Sequence, residues 1–542
     1  MKNSNKYTYT ALPFVCLFVL IFIMINIPGC KTGKTNNTGN TISGENTESS
    51  ATEKITVHSS ESSATEEVTT EPTESSTTEE VTTEPTESST TVDNSNDPDS
   101  YVTYESNLPV LYINTENNAD ITSKTEYINA TMKLQGNTLF SDISTLYDGN
   151  IEIKGRGNSS WRNFKKKPYK IKLNESANLL GMGSNRHWVL IANYIDESLM
   201  RNALAYRMAG NLGLTSMDST WVDIVLNGKY IGNYVLCEQI RISEERVDIF
   251  DWEKYGEKVA SMVYLKAGLS DTSLELLTEK LTTDLSWITD GKFTFDGTEY
   301  IVSEYYNQDI DIKSGYLIEL SAEYDEITRF KTSENAPILI QEPTYLKTNK
   351  TMYKHVKGLI QAFEDAIYSE DGYTDYNGKR VHYSELCNMD SLVNYWLVAE
   401  TFYPADVIWK SRYMYIGGDG KITFGPVWDY DYSSGGANPW MTIKYDEWRS
   451  SCTDTNNYWL GALIKHDDFM TLVKDRYKEI RSTHIEELIS ESGIISQWYP
   501  YLYDSGINNT ALWKYKRGFE KDVNKLSSWL KKRVEWMDSQ LL

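Results

Sequence analysis

Two segments of the chain contain residue types suited to holding a phosphate chain and a metal ion. The first segment combines a glycine turn with clustered lysines and reads IEIKGRGNSSWRNFKKKPYKIKL over residues 151–173. The second, residues 405–436, contains the lone Asp406 and then the closely spaced Asp429 and Asp431. Phosphoryl transfer needs cations on the phosphates, carboxylates on Mg²⁺ and a group that orients or deprotonates the acceptor. Together the two segments supply all three kinds of group.

The pattern of the first segment predicts two strands joined by a turn. Gly155 and Gly157 allow the backbone there to approach an anion closely. Residues 169–173 alternate between apolar and basic side chains, which places Lys170 and Lys172 on one face of a strand. A lysine on such a strand would be a rigid phosphate ligand. The alternative is a surface hairpin with a solvated basic face.

The second segment contains two carboxylates that an extended backbone would turn to the same side. Asp429 and Asp431 are two positions apart, so their charges repel unless a cation or hydrogen-bond donors lie between them. Hard oxygen ligands of this kind suit Mg²⁺, Mn²⁺ or Ca²⁺. The alternative is a strand end at which an aspartate caps a turn.

Five blocks in chain order resemble the CotH family, bacterial proteins related to spore coat protein H that are regarded as atypical, protein-kinase-like enzymes. The blocks are KGRGNSSW with KKPYKIKL, DESLMRNALAYRMAGNLG, VLNGKYIGNYVLCEQI, GYLIEL and DVIWKSRYMYIGGDGKITFGPVWDYD. They span most of residues 105–440. The resemblance implies a two-lobed kinase-like domain that uses ATP and Mg²⁺ or Mn²⁺ to phosphorylate Ser or Thr hydroxyls.

The resemblance also implies roles for individual residues. Asp429 matches the metal-binding aspartate of protein kinases, and Asp431 is expected to complete the metal site. Asp406 matches the catalytic-loop aspartate that orients the acceptor hydroxyl. Lys170 is the candidate phosphate-binding lysine, and Lys172 is the alternative on the same face.

Four further residues are candidates for nucleotide binding. Arg156, Asn158 and Ser159 belong to the glycine turn, and Glu238 follows the second strand of a predicted hairpin. Protein kinases place an asparagine that binds a second metal ion five residues after the catalytic aspartate. Ser411 stands at that position here, so the number of metal ions remains open.

The beginning of the chain has the pattern of a bacterial lipoprotein signal. Residues 11–27 are strongly apolar, and the run closes with IPGC, which makes Cys30 the expected lipidated residue. The alternative is an uncleaved N-terminal anchor, since the run nearly reaches spanning length. Both the lipoprotein signal and the uncleaved anchor would place the rest of the chain on the outer face of the cytoplasmic membrane.

Residues 31–100 are rich in Ser, Thr and Glu and are predicted to be a disordered stalk. A unit of thirteen residues repeats there, first as ESSATEEVTTEPT and then as ESSTTEEVTTEPT. Almost nothing in it can be buried, so ordering would not offset its entropy cost. We expect this stalk to separate a folded domain from the membrane.

The formal net charge of −24 indicates which partners to expect. An acidic chain argues against nucleic acid and favours a neutral or basic acceptor, such as an exported, Ser-rich protein. Beyond the signal and Cys30, the remaining cysteines are Cys237, Cys387 and Cys452. That odd number without metal-like spacing predicts no disulfide framework.

The predicted domain covers residues 101–542, with an N-lobe at about 105–265 and a C-lobe at about 266–542. Early strands and late helices give an α+β architecture. Strands are expected within 105–150 and 220–265, and helices within 196–213, 350–400 and 467–542. Asp196 is the expected N-cap of the first helix.

Rival functions are also compatible with the composition. Fifteen Trp and thirty-eight Tyr would suit a surface module that binds carbohydrate or protein without catalysis. Glycoside hydrolysis by paired carboxylates is a second rival, although the two acids of the DYD sequence are close together for that geometry. Transfer of AMP instead of phosphate, and a pseudokinase that only binds nucleotide, also stay open.

Overall fold

The computed structural model describes residues 106–407, 409–436, 443–452 and 458–542. The predicted signal segment, Cys30 and the repeats lie outside the described residues, so those predictions stay as they are. In the described part of the chain, none of the helices combines the length and apolar character needed to cross a membrane.

The N-terminal region is a closed barrel of seven strands. The strands are β1 (Val110–Thr115), β2 (Ile128–Gln135), β3 (Tyr147–Gly155), β4 (Tyr169–Asn178), β5 (Ser184–Ile191), β6 (Ser219–Leu226) and β7 (Lys229–Glu238). Their order around the barrel is β1-β2-β3-β4-β5-β7-β6. All neighbours are antiparallel except β1 and β6, whose parallel pairing closes the barrel.

The alternation predicted for β4 is confirmed. Ile171 and Leu173 are fully buried in the barrel core, whereas Lys170 and Lys172 lie on the outer face. Strands β6 and β7 form the predicted hairpin at Asn227 and Gly228, whose φ angles of 50° and 72° fit a tight hairpin turn.

Two helices interrupt the barrel, α1 (Ser159–Asn163) between β3 and β4 and α2 (Arg201–Asn211) between β5 and β6. The expected N-cap at Asp196 is four residues too early, because the N-cap of α2 is Met200. The Asp196 carboxylate instead accepts a hydrogen bond from the Arg201 backbone N–H at 2.8 Å, so it caps the helix across a preceding turn. Gly213, with a φ of 83°, follows the helix as expected.

The remainder of the chain contains most of the helices. In chain order it comprises α3 (Trp252–Ala267), α4 (Asp271–Thr283), α5 (Ser286–Asp290), β8 (Lys292–Phe295), β9 (Thr298–Ile301), α6 (Val302–Tyr305), β10 (Tyr316–Leu320), β11 (Thr328–Lys331), β12 (Pro337–Glu342), α7 (Lys350–Tyr368), β13 (Tyr373–Tyr376), β14 (Lys379–His382), α8 (Tyr383–Leu386), α9 (Met389–Phe402), β15 (Arg412–Ile416), β16 (Ile422–Phe424), α10 (Leu460–Leu463), α11 (Asp467–Ile480), α12 (Glu486–Ile489), α13 (Ile494–Trp513) and α14 (Phe519–Leu541).

Strands were predicted within residues 220–265, but residues 252–265 belong to α3, so the prediction is wrong for that part. The buried residues of α3, which include Trp252, Tyr255, Val259 and Val263, recur at helical spacing and face the main hydrophobic core. The helices expected within 350–400 and 467–542 are present as α7 to α9 and α11 to α14.

A five-stranded sheet lies at the centre of this second region, with the order β11-β12-β10-β15-β16. Neighbouring strands are antiparallel. Asp406 lies in the connection between α9 and β15, and Asp429 and Asp431 lie in the segment that follows β16. The pairing of β15 with β16 therefore brings these two aspartate-bearing segments to the same end of the sheet.

Candidate active site

A cavity of about 250 Å³ lies between the barrel and the five-stranded sheet. Its barrel side is formed by residues 156–160 and 191–194. Its other side carries Asp406, Asp429 and Asp431 together. The structure thus brings the three predicted aspartates, from two separate segments, to one cavity.

The acid loop, residues 428–434, carries two of these aspartates. Asp429 has a φ of 67°, a left-handed conformation that residues other than glycine seldom adopt. The backbone N–H of Tyr430 donates to the Asn202 side-chain oxygen at 2.7 Å, which helps to hold this conformation. Ser411 Oγ donates to Asp429 Oδ2 at 3.3 Å. Residues held in such conformations are common at functional sites.

The segment around Asp406 is also tightly fixed. The Asp406 carbonyl accepts the backbone N–H groups of Trp409 and Lys410, both at 3.0 Å, and so forms a turn. That turn brings Lys410 Nζ to 3.0 Å from Asp406 Oδ2. The Ala405 N–H donates to the Tyr432 carbonyl at 2.8 Å, which joins this segment directly to the acid loop.

The three carboxylates repel one another. Burial raises the pKa of Asp406 to about 6, with Asp429 adding to the rise and Lys410 opposing it. Burial and the charges of Asp429 and Asp406 hold the pKa of Asp431 well above its ordinary value. Burial disfavours the Lys410 ammonium, but Asp429 and Asp406 outweigh it and raise the pKa of Lys410. Additional positive charge in this cavity would therefore be favourable.

The residues present fit a divalent cation that is shared with a phosphate ligand. Among the residues that the structure describes, no group of three or more His, Cys, Asp or Glu is arranged as a self-contained metal site. Mg²⁺ is commonly bound through one or two carboxylates together with substrate phosphates. Asp429 and Asp431 are the carboxylates that would hold it, and its charge would relieve their repulsion.

The glycine turn forms the opposite wall. Gly157 has a φ of 79°, and a Cβ atom there would lie 2.3 Å from Ser160 Oγ, so glycine is required. Arg156, Asn158 and Ser159 all line the cavity. The Arg156 guanidinium lies 5.5 Å from the centre of the Trp428 ring, next to the acid loop.

The two predicted phosphate-binding lysines have different surroundings, and neither lines the cavity. Burial and the charges of Lys154, Arg241 and Arg156 lower the pKa of Lys170 to about 8. Lys170 therefore lies in a cluster of cations beside the cavity, where an anion would be stabilised. Lys172 instead forms an ion pair with Glu152 at 2.6 Å.

Glu238 does not line the cavity either. Its carboxylate accepts the Asp218 N–H at 2.9 Å and the Arg246 Nε–H at 3.1 Å. Burial raises the pKa of Glu238 to about 7. These contacts fix the end of β7 against the chain segment that leaves the barrel.

Three residues of this region were missing from the predicted set. Lys410 could have been found from its spacing, because i,i+4 places it within reach of Asp406 when the chain turns. Glu319 lies in the GYLIEL block and lines the cavity, where burial raises its pKa to about 7. Arg241 shows no local signal; it follows the end of β7, contacts His187 of β5 at 2.7 Å and helps to lower the pKa of Lys170.

The fold and the site define an α+β protein whose acidic cavity, flanked by cations, is suited to a nucleotide and its metal ion. The sequence matches the family described as CotH kinase protein over residues 152–537. That match covers more than half of the chain, which therefore belongs to the CotH kinase family. The family implies a kinase-like fold, ATP as the nucleotide and protein kinase activity. No curated protein matches the sequence.

Proposed function

We propose that this protein is a membrane-tethered, extracytoplasmic kinase that transfers the γ-phosphoryl group of ATP to Ser or Thr hydroxyls of exported proteins. One observation carries the proposal. Asp406, Asp429 and Asp431 converge with Lys410 on a single cavity, opposite a glycine turn that contributes Arg156. Membership of the CotH kinase family supports the same class of reaction.

In this proposal Asp406 accepts the proton of the acceptor hydroxyl as the new O–P bond forms, while the bond from the γ-phosphorus to the β–γ bridging oxygen breaks and ADP leaves. Its pKa of about 6 leaves it mostly ionised at neutral pH, which a general base requires. Lys410, 3.0 Å away, orients the carboxylate and favours its ionised form. The cationic end of Lys410 is also placed to stabilise the negative charge of the transferring group.

Asp429 and Asp431 would hold the divalent cation, which supplies charge neutralisation to the phosphate oxygens when bound. Arg156 binds the phosphate chain from the glycine turn, with Asn158 and Ser159 donating polar contacts. Lys170 acts from beside the cavity as a further source of positive charge, because it has no salt-bridge partner among the described residues, unlike Lys172.

The location and the acceptor are proposed from the sequence. The lipoprotein-type signal with Cys30, followed by the repeats of residues 31–100, supports a domain tethered at the outer face of the membrane. The net charge of −24 favours a basic, Ser-rich acceptor over an acidic one.

The test is metal-dependent transfer of γ-labelled phosphate by the purified full chain. The acceptors are the chain itself and a synthetic peptide of lysine and serine, with Mg²⁺ or Mn²⁺ present. We expect labelling by the wild type and its loss in Asp429→Ala. If the wild type neither transfers label nor binds ATP, the kinase proposal is wrong and a non-catalytic binding module becomes the better account.

A further inference from the structure

The acid loop is held by the beginning of a helix that lies more than 200 residues earlier in the chain. Arg201, the first residue of α2, has a fully buried side chain. Its Nε–H donates to the Ser433 carbonyl at 3.0 Å, and its Nη2 approaches the Ser434 carbonyl at 3.5 Å. These carbonyls lie two and three residues after Asp431, the second aspartate of the loop, so Arg201 fixes its C-terminal end.

The next residue of α2 holds the middle of the loop. Asn202 Oδ1 accepts the Tyr430 N–H at 2.7 Å, on the peptide between the two aspartates. One turn further along, the Tyr206 ring stacks on Trp428 at 5.7 Å and 9°. Helix α2 therefore holds Trp428 and Tyr430, which alternate with Asp429 and Asp431. Both aspartates line the cavity.

The guanidinium of Arg201 is itself held by the C-terminal helix. Asp522 of α14 lies 2.6 Å from Arg201 Nη1 and also accepts the Ser198 N–H at 3.0 Å. Asp196 binds the same Nη1 of this guanidinium. A planar guanidinium with two carboxylates and two carbonyls around it has a fixed orientation.

We infer that Arg201 and Asn202 are positioning residues for the acid loop, and that Asp522 holds Arg201 in the orientation this role requires. The inference rests on the proposed metal-dependent transfer, because it concerns the same loop. It makes α14, the last helix of the chain, a component of the metal site although no residue of that helix lines the cavity.

A purely structural network would behave differently from a positioning one. Buried ion pairs of this kind affect stability wherever they occur, so a lower melting temperature alone is no support. Partners that orient metal ligands change metal affinity itself, by about 10- to 100-fold in known sites. The deciding readout is therefore Mn²⁺ affinity in folded variants, measured separately from activity.

The variants are Asp522→Asn, which keeps the shape of the side chain, and Asn202→Ala, which removes the acceptor for the Tyr430 N–H. The matched control is Glu487→Gln. Glu487 of α12 forms an ion pair with Arg207 of α2 at 2.6 Å, but that pair is partly exposed and does not contact the acid loop. This substitution therefore weakens a contact between α2 and the C-terminal region that lies outside the proposed site.

The measurement is Mn²⁺ binding by electron paramagnetic resonance, with the full chain and a non-hydrolysable ATP analogue present. Circular dichroism melting establishes that each variant is folded at the assay temperature. We expect Asp522→Asn and Asn202→Ala to weaken Mn²⁺ binding about tenfold or more, and Glu487→Gln to leave it unchanged.

Wild-type Mn²⁺ affinity in the folded Asn202→Ala and Asp522→Asn chains would overturn the inference while leaving the proposed function intact. If Asp522→Asn does not fold, Asn202→Ala decides alone. A wild type that binds no Mn²⁺ with the ATP analogue would instead refute the proposed function, and the inference would fall with it.

Discussion

Replacing Lys410 by methionine should shift the pH dependence of catalysis. Lys410 Nζ lies 3.0 Å from Asp406 Oδ2, and the two side chains are only 12% and 11% exposed. For unit charges at this distance, an effective dielectric constant of about 20 gives roughly 5 kcal/mol. If relaxation and entering water remove half of this attraction, losing the remainder in Lys410→Met still raises the pKa of Asp406 by about 2.

The sign of the effect follows from the role of Asp406 as a base. Its pKa is already raised to about 6 while Lys410 is present, so activity should increase with pH through that region. Without the lysine the carboxylate ionises only at higher pH. Activity at pH 7 should then fall by about tenfold or more, and the acid limb should move to higher pH. The plateau should stay below that of the wild type, because Lys410 no longer stabilises the transferring group.

The assay is the rate of γ-phosphate transfer to the lysine–serine peptide from pH 5 to pH 9. Lys292→Met is the matched control, because Lys292 forms an exposed ion pair of similar length with Glu299, at 2.9 Å, on the β8–β9 hairpin. Its profile should match that of the wild type. An acid limb at the same pH in Lys410→Met and in the wild type would show that Lys410 does not lower the pKa of the catalytic base.

Two further predictions concern the buried ion pair of Glu400 with Arg533 and the two lysines of β4. Glu400 is fully buried and lies 3.0 Å from Arg533 Nη2, so Glu400→Gln should lower the free energy of unfolding by about 3–5 kcal/mol, measured in urea; an unchanged value would contradict this. Lys170→Met should raise the KM for ATP about tenfold, because a cation near the phosphates is lost. Lys172→Met should leave KM unchanged, since Lys172 pairs with Glu152, and equal effects of the two lysine variants would contradict the distinction.

Local patterns predicted those elements in which one face is buried and the other is not. The alternation of residues 169–173 placed Lys170 on the outer face of β4 because a strand has a strict period of two. The apolar run within α3 did not distinguish strand from helix, since short apolar runs fit both periods. Closure of the barrel depends on β1 pairing with β6, and local patterning does not show such a long-range contact.

The site, like the fold, was predictable where local spacing decides and not where long-range packing decides. The spacing of Asp429 and Asp431 indicated a cation site from the sequence alone, whereas their convergence with Asp406 rested on the family resemblance. Glu238 was assigned to the nucleotide, but the structure pairs it with Arg246 away from the cavity lining. The role of Arg201 in fixing the acid loop depends on packing between segments far apart in the chain, which residue spacing does not reveal.

The activity proposed for this cavity is transfer of the γ-phosphoryl group of ATP. The most direct measurement compares ATP labelled at the γ position with ATP labelled at the α position, using the wild type and Asp406→Asn. We expect that only the γ label enters protein and that Asp406→Asn abolishes most of this incorporation. Incorporation of the α label instead would show transfer of AMP and contradict the proposed activity, as would γ labelling that is unchanged in Asp406→Asn.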